Sequence, residues 1–308
     1  MQWVVSQKGW EARLNAVVEC IRGTPKLSPT SAQASSPDVR VHIISDMEGV
    51  AGIVKFEQTE GGHAMYAEGR KLYTEEINAA VRGARSGGAT EIVVMDCHGA
   101  GGPWSFNSLV PDLLDPGCEY VVQEHWTEYT AFLERGCDAA LFIGMHARAG
   151  IRDGLMNHTV SGQSWQNLWF NGTLVGETGI NAALCGTWGC PVLMVTGDEA
   201  VCRETTALLG PDVSTVAVKW GLGRFGARQL PALKARGVIE VAAREALLKP
   251  RPVPPYDPGR PCEIRIEFTR TDAFDQYRHR HGVEELGERM LMSKANDWWT
   301  AWKQFFLT

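Results

Sequence analysis

Five short segments of this chain place acids or histidines among small residues. SDMEG carries Asp46 and Glu48, MDCHG carries His98, FIGMHARAG carries His146, GLMNHTVSG carries His158 and NGTLVGETGINAA carries Glu177. Residues two apart in an extended chain share one face, so Asp46 and Glu48 point the same way. Two carboxylates so placed repel unless a proton or a cation lies between them. Taken singly, each residue also has an ordinary reading. An Asp-x-Glu pair suits a solvated strand end, and a lone histidine suits a bond to a nearby carbonyl. A glutamate that opens a helix interacts well with the macrodipole, and His158 fits a polar surface loop.

Together the set says more. Two imidazoles (His98 and His146) and three carboxylates (Asp46, Glu48 and Glu177) form a mixed nitrogen and oxygen donor group. Such a group suits zinc, and also manganese or cobalt. Three carboxylates exceed what one zinc takes. A two-metal centre with one bridging carboxylate uses all five ligands and keeps positions open for water and substrate.

The elements that must hold these residues alternate between two periods. VRVHIIS, EIVVM (91–95) and AALFIG (139–144) are short, apolar and rich in β-branched residues, as buried strands are. Asp46, His98 and His146 each follow one of them, at the carboxyl ends where open α/β sheets bind ligands. Helical spacing runs from Glu68 to Arg85, with Leu72, Ile77, Ala80 and Val81 on one side, and Gly87-Gly88 stops it. Residues 167–176 predict a hairpin turning at Asn171-Gly172, and 177–186 a short helix. PVLMVTG (191–197) predicts a strand, 199–209 a helix, STVAVKW a strand followed by a loop, and 238–248 a helix. The proline-rich segment 249–261 precedes an alternating strand, CEIRIEF, and a final helical stretch, WWTAWKQFF. The expected fold is α/β, a mainly parallel sheet with helices on both faces and the site at the strands' carboxyl ends, plus a smaller C-terminal α+β portion.

Residues 1–38 end in TPKLSPTSAQASSPD, which has a linker's composition, and 10–22 suit a short amphipathic helix. The expected organisation is a loosely ordered extension over 1–38 and a catalytic region over 39–308, with a sub-boundary near 249–261. A formal net charge of −6 and the lack of any basic tract exclude an ordinary nucleic-acid binder. No apolar run reaches the roughly 18 residues of a membrane span, and the first residues lack the pattern of a secretory signal. The 8 cysteines are dispersed with no Cys-x-x-Cys pair. They read as reduced thiols in the cytoplasm rather than as a disulfide or thiolate-metal framework.

At this level the chain resembles the D-aminopeptidase family of dizinc peptidases, the type encoded with bacterial dipeptide transport systems. The resemblance rests on SDMEGVAG, YTEEINAAVRGARSGGATEIVVMDCHG, DAALFIGMHARAG, NHT, FNGTLVGETGINAALCG, PVLMVTGD and VAVKWGLGR, in family order from Val39 to Arg224. It implies that Asp46 bridges two zinc ions, Glu48 and His146 completing one and His98 and Glu177 the other. It gives His158 the place of the family's catalytic histidine, and implies a ring-shaped homo-oligomer, a decamer in the best-known case. Cys97 and Met145 stand where the family commonly has serine and an aromatic residue, and AGGPWSFNSL departs from the usual short turn after His98.

The expected activity is release of an N-terminal residue, a D-amino acid such as D-Ala, or glycine, from a short peptide. His158 acts either as nucleophile or as general base and acid. Two other readings stay open: another metal-dependent amidohydrolase, and a non-catalytic metal-dependent binding protein. The lack of a Walker-type loop weakens a phosphoesterase reading. A merely structural metal site has no use for His158.

Overall fold

Apolar strands without alternation can be satisfied only where both faces of a sheet are covered, and the central strands of this chain are buried along almost their whole length. The computed structural model describes residues 38–124, 129–248 and 251–306. The expected extension over 1–38, with its amphipathic helix at 10–22, lies outside the described residues except for Asp38.

Seven strands make the main sheet: β1 (Arg40–Ser45), β2 (Glu91–Asp96), β3 (Glu119–Val121), β4 (Ala139–Met145), β7 (Val192–Asp198), β8 (Ser214–Gly223) and β9 (Gly226–Gln229). Their order is β3-β2-β1-β4-β7-β8-β9. Every neighbouring pair is parallel except β8 with β9. The loop expected after STVAVKW is instead the turn of that antiparallel hairpin. Its glycines read as a loop because a hairpin that closes the sheet edge needs the same residues.

From β1 the chain moves one way along the sheet to β2 and β3, then returns to the other side of β1 for β4, β7 and β8. Right-handed crossovers that reverse direction place helices on opposite faces. Thus α1 (Tyr66–Ser86), which follows β1, packs against α5 (Ala232–Leu248), while α3 (Glu177–Thr187) packs against α4 (Glu199–Leu209). A short α2 (Ala131–Glu134) precedes β4. Helix α5 starts six residues before the expected 238. Pro231 ends the preceding strand hairpin, and its carbonyl accepts from Lys234 and Ala235; Gly237, within the helix, is no boundary.

A second sheet is antiparallel: β5 (Trp165–Phe170), β6 (Thr173–Val175), β10 (Cys262–Phe268), β11 (Val283–Glu285) and β12 (Met290–Ala295), in the order β11-β12-β10-β5-β6. The hairpin turns at Asn171 (φ 45°) and Gly172 (φ 81°), as the sequence predicts. β10 pairs with β5 across the proline-rich segment, so this sheet draws on both sides of it. Besides a short α6 (Thr271–Asp275), the C-terminal helix α7 (Trp298–Phe306) covers the sheet, burying Trp298, Trp302 and Phe305.

His42 sits in the middle of β1, fully buried, with Nδ1 3.3 Å from the Val93 carbonyl and no partner for Nε2. Burial pushes its imidazole from 6.5 down to about 4, against the opposing carbonyl bond. As pH falls from 6.5 toward 4, the unfolded chain gains a proton that the folded chain refuses. Stability is therefore lost across that window, by roughly 3 kcal/mol, and is untouched above it. Urea unfolding of His42→Leu beside the wild type should show a flatter decline between pH 6.5 and 4; equal slopes would remove His42 as the acid-sensitive group.

Candidate metal centre

The direction of chain travel reverses between β1 and β4, and a crevice opens there at the carboxyl ends of the strands. Two glycines let the strand ends close on it. The Gly49 amide donates to the Gly144 carbonyl at 2.7 Å, and a Cβ on Gly49 would lie 1.9 Å from the Met145 carbonyl oxygen. Gly144 has φ +74°, and a Cβ there would meet the Asp46 carbonyl oxygen at 2.1 Å. Side chains at either position would force Asp46 and His146 apart.

All six sequence-predicted residues meet in this crevice. Asp46, Glu48, His98 and His146 are at most 4% exposed. Asp46 faces both ways: Oδ1 is 3.0 Å from His98 Nδ1, and Oδ2 is 3.4 Å from His146 Nε2. Glu48 Oε2 lies 3.2 Å from His98 Nδ1. Glu177, the first residue of α3, puts Oε1 3.4 Å from His146 Nε2 and 3.6 Å from His158 Nε2. Ligand atoms of Asp46, Glu48 and His146 gather within 4.8 Å, as do those of His146, His158 and Glu177. The first trio is the grouping that the resemblance implies for one ion. The contact of His98 with Glu48 crosses between the two implied groups, so these distances describe one continuous cluster hinged on Asp46.

Hydrogen bonds outside the cluster set which nitrogen each imidazole turns inward. His98 Nε2 is 2.9 Å from the Thr59 carbonyl, His146 Nδ1 is 3.0 Å from the Ala147 carbonyl, and His158 Nδ1 is 2.9 Å from the Met156 carbonyl. A carbonyl only accepts, so each of these nitrogens carries the proton and leaves the other nitrogen's lone pair facing the carboxylates. His146 Nε2 and Glu48 Oε2 are buried without a hydrogen-bond partner. Two orphaned acceptors among three carboxylates and two inward lone pairs make a donor set that could hold a cation.

The electrostatics agree. Burial resists ionisation of Asp46, yet bonds and charge from His146 and His98 hold its carboxyl well below the usual range. Burial likewise opposes charge on His98 and His146, but Glu48 with Asp46, and Glu177 with Asp46, hold the two imidazoles well above theirs. The same field favours a cation at this place.

The sequence did not single out several supporting residues. Asp96 accepts from the His98 amide at 3.1 Å, from the Tyr73 hydroxyl at 2.9 Å and from the Ser108 amide, fixing the loop after β2. Lys219, fully buried at the middle of β8, donates to the carbonyls of Glu48, of Val50 (2.8 Å) and of Ile53 (2.7 Å). Its three protons thus hold the loop that carries Glu48. A lone lysine in the apolar run STVAVKW was the available signal.

Residues 39–307 match the model of a peptidase family, Peptidase_M55, described as D-aminopeptidase. The D-aminopeptidase of Bacillus subtilis (strain 168) is 31% identical over 234 residues, 75% of this chain and 81% of that protein. The solved structure of the Zn-dependent D-aminopeptidase DppA from Bacillus subtilis, described as a self-compartmentalizing protease, matches with a TM-score of 0.79 and 28% identity. The match covers 86% of this chain and 94% of that one.

Replacing Lys219 by methionine should destabilise the protein by roughly 3–5 kcal/mol, because three carbonyls and the nearby buried Glu76 and Asp198 lose their cation. Urea unfolding measures this; a loss under about 1 kcal/mol would mean that the loop stands without it.

Proposed function

The chain belongs to the D-aminopeptidase family, and on that premise we propose that it is a zinc-dependent aminopeptidase releasing N-terminal residues, D-Ala or glycine among them, from short peptides. The observation that carries this reading is the buried cluster of Asp46, Glu48, His98, His146 and Glu177, with the free nitrogen of His158 against it. These five residues are the proposed ligands of two zinc ions, with Asp46 shared between them; manganese or cobalt fits the same donors. Bound there, the ions would supply Lewis-acid polarisation of the scissile carbonyl and a lowered pKa for water.

The chain's own contribution centres on His158. Its ring stacks on His146 with centroids 4.1 Å apart and planes 16° from parallel. Nδ1–H is committed to the Met156 carbonyl, so Nε2 meets the substrate as a base or nucleophile. That nitrogen either attacks the carbonyl carbon or takes a proton from the attacking water and returns it to the leaving amine. Glu177 Oε1 also accepts from the Val160 amide at 2.8 Å, which ties the loop bearing His158 to the start of α3.

The proposal extends to assembly and compartment. We read the protein as a ring-shaped homo-oligomer, a decamer in the best-known family case, which the self-compartmentalizing relative supports. Leu222, Leu233 and Val241 are 81%, 80% and 60% exposed, which is apolar surface suited to contacts between copies. A cytoplasmic location accords with what the described residues show: seven cysteines, none in a disulfide, and no helix long and apolar enough to cross a membrane.

Elemental analysis of the purified protein should find about two zinc per chain, and D-Ala-D-Ala should release D-alanine where L-Ala-L-Ala does not. Protein that neither contains nor takes up metal would sink the zinc reading. His158→Ala should keep its metal and lose activity by about 10²–10⁴-fold; near-normal turnover would take His158 out of the chemistry. Light scattering should give a mass several times the 33.8 kDa of one chain, whereas a monomer would remove the ring.

A further inference from the structure

Two hollows of different chemistry open from the cluster. One, about 210 Å³, is walled beyond the acids and histidines by Phe106, Ile180, Trp302 and Phe306. The other, about 650 Å³, runs past Phe56, Trp104 and Gly162 to Arg224. Glu48, His98, His158 and Val160 border both, so the proposed reacting centre lies at their junction.

Among the described residues, Arg224 is the one lysine or arginine lining the larger hollow. Its guanidinium lies 5.8 Å from the Phe56 ring centroid and 5.3 Å from that of Phe225. Among the described residues no carboxylate pairs with it. The acids of the same hollow are otherwise engaged: Glu48 is in the cluster, and Glu60 lies 3.6 Å from His63. Gly162 separates Arg224 from the catalytic loop. A Cβ on Gly162 would stand 3.6 Å from His158 Cβ and 3.7 Å from Arg224 Nη2. With both so near one point, Arg224 Nη2 lies no farther from His158 Cβ than about the span of two residues of extended chain, ~3.3–3.6 Å each. The Arg224 carbonyl accepts from the Met156 amide at 2.7 Å, which keeps this strand end in register with the loop bearing His158.

We propose that Arg224 is a specificity residue that holds the free α-carboxylate of the leaving residue, one residue beyond the scissile bond. This rests on the aminopeptidase reading of the site. A planar guanidinium lying against the Phe56–Phe225 ring pair, whose centroids are themselves 5.8 Å apart, leaves N–H groups for a carboxylate, which accepts two parallel bonds. Among the described residues the smaller hollow has no lysine or arginine, and it takes the apolar side chain of the N-terminal residue. Substrates thus lie across the junction, apolar end inward and carboxylate toward solvent, and a longer chain or a capped carboxyl forfeits the pair.

The test compares D-Ala-D-Ala with its C-terminal amide on the zinc-loaded full-length protein, on Arg224→Met and on Arg224→Lys. The wild type should favour the free acid by about ten-fold in kcat/KM, chiefly through KM, as a partly exposed charged hydrogen bond allows. Arg224→Met should bring the acid-to-amide ratio near one, Arg224→Lys should restore part of it, and added salt should shrink it in the wild type. A wild-type ratio near one, or a ratio that survives Arg224→Met, overturns the proposal. Calorimetric binding of the same two ligands to His158→Ala, with and without Arg224→Met, separates the two readings. If no peptide is cleaved at all, the aminopeptidase reading fails, while tighter binding of the acid that vanishes with Arg224→Met still assigns the anchor. Equal binding of acid and amide removes it.

Discussion

Three carboxylates cannot share a dry crevice without positive charge among them, and most of what is particular about this structure follows from that constraint. Burying an unpaired carboxylate costs several kcal/mol even after the protein relaxes. Asp46 and Glu48 are both nearly inaccessible, and Glu177 is only partly open. Imidazoles alone answer the charge by holding protons far above their usual range, which would give up the lone pairs that face inward. A cation would satisfy the carboxylates and the lone pairs together, including Glu48 Oε2 and His146 Nε2, which have no hydrogen-bond partner.

Such a cluster must be rigid to be useful, and the rigidity comes from a surrounding layer of main chain. Carbonyls of Thr59, Ala147 and Met156 fix the three rings. The loop after β1 is itself drawn together by Lys219, whose ammonium gathers three carbonyls where no water can replace it. Burial pushes Lys219 down to about 8 and Glu76 up to about 7, each resisted by the other's charge. Glu76 in turn accepts from the Ala51 amide at 2.9 Å, so this inner pair clamps the loop from two sides. The cluster's negative charge and the lysine beneath it are parts of one electrostatic arrangement.

Much of this was legible in the chain. Strands of uninterrupted apolar residues announced the parallel sheet, and the chemistry-bearing residues stood directly after them, so the carboxyl-end crevice followed from position alone. The helix at 199–209 and the turn at Asn171-Gly172 were read at their true places, because both are set locally: the structure caps the one with Asp198 and turns the other through two left-handed residues. What was not legible depends on long-range pairing. β5 and β10 meet across nearly a hundred residues, and no local pattern tells an alternating strand which partner to choose. That pairing, with α7 covering it, carries Trp302 and Phe306 to the wall of the smaller hollow. From sequence Trp302 stood only as part of the helical stretch WWTAWKQFF. Lys219 and Arg224 were hidden for a similar reason, since a single cation shows its purpose only once the carbonyls, rings or acids around it are known.

The segment that carries His158 makes a further physical point. Met156 and Val160 have φ values of 52° and 60°, and for a β-branched residue such as Val160 that region is costly. Strain of this kind persists only where neighbouring bonds outweigh it. Here the Met156 amide donates to the Arg224 carbonyl, the Val160 amide to Glu177, and Thr159 Oγ1 accepts from Ala149. Asn157 spans the inside of the turn, bonding the carbonyls of Ile151 and Gly154. The loop between two left-handed residues thus has little freedom of its own: its shape is set by β8's end on one side and by the first turn of α3 on the other. Arg224 follows directly on the one, and Glu177 opens the other. The backbone that strains to present His158 is therefore the same backbone that links the cluster to the larger hollow, and a shift in either would be felt at the imidazole between them.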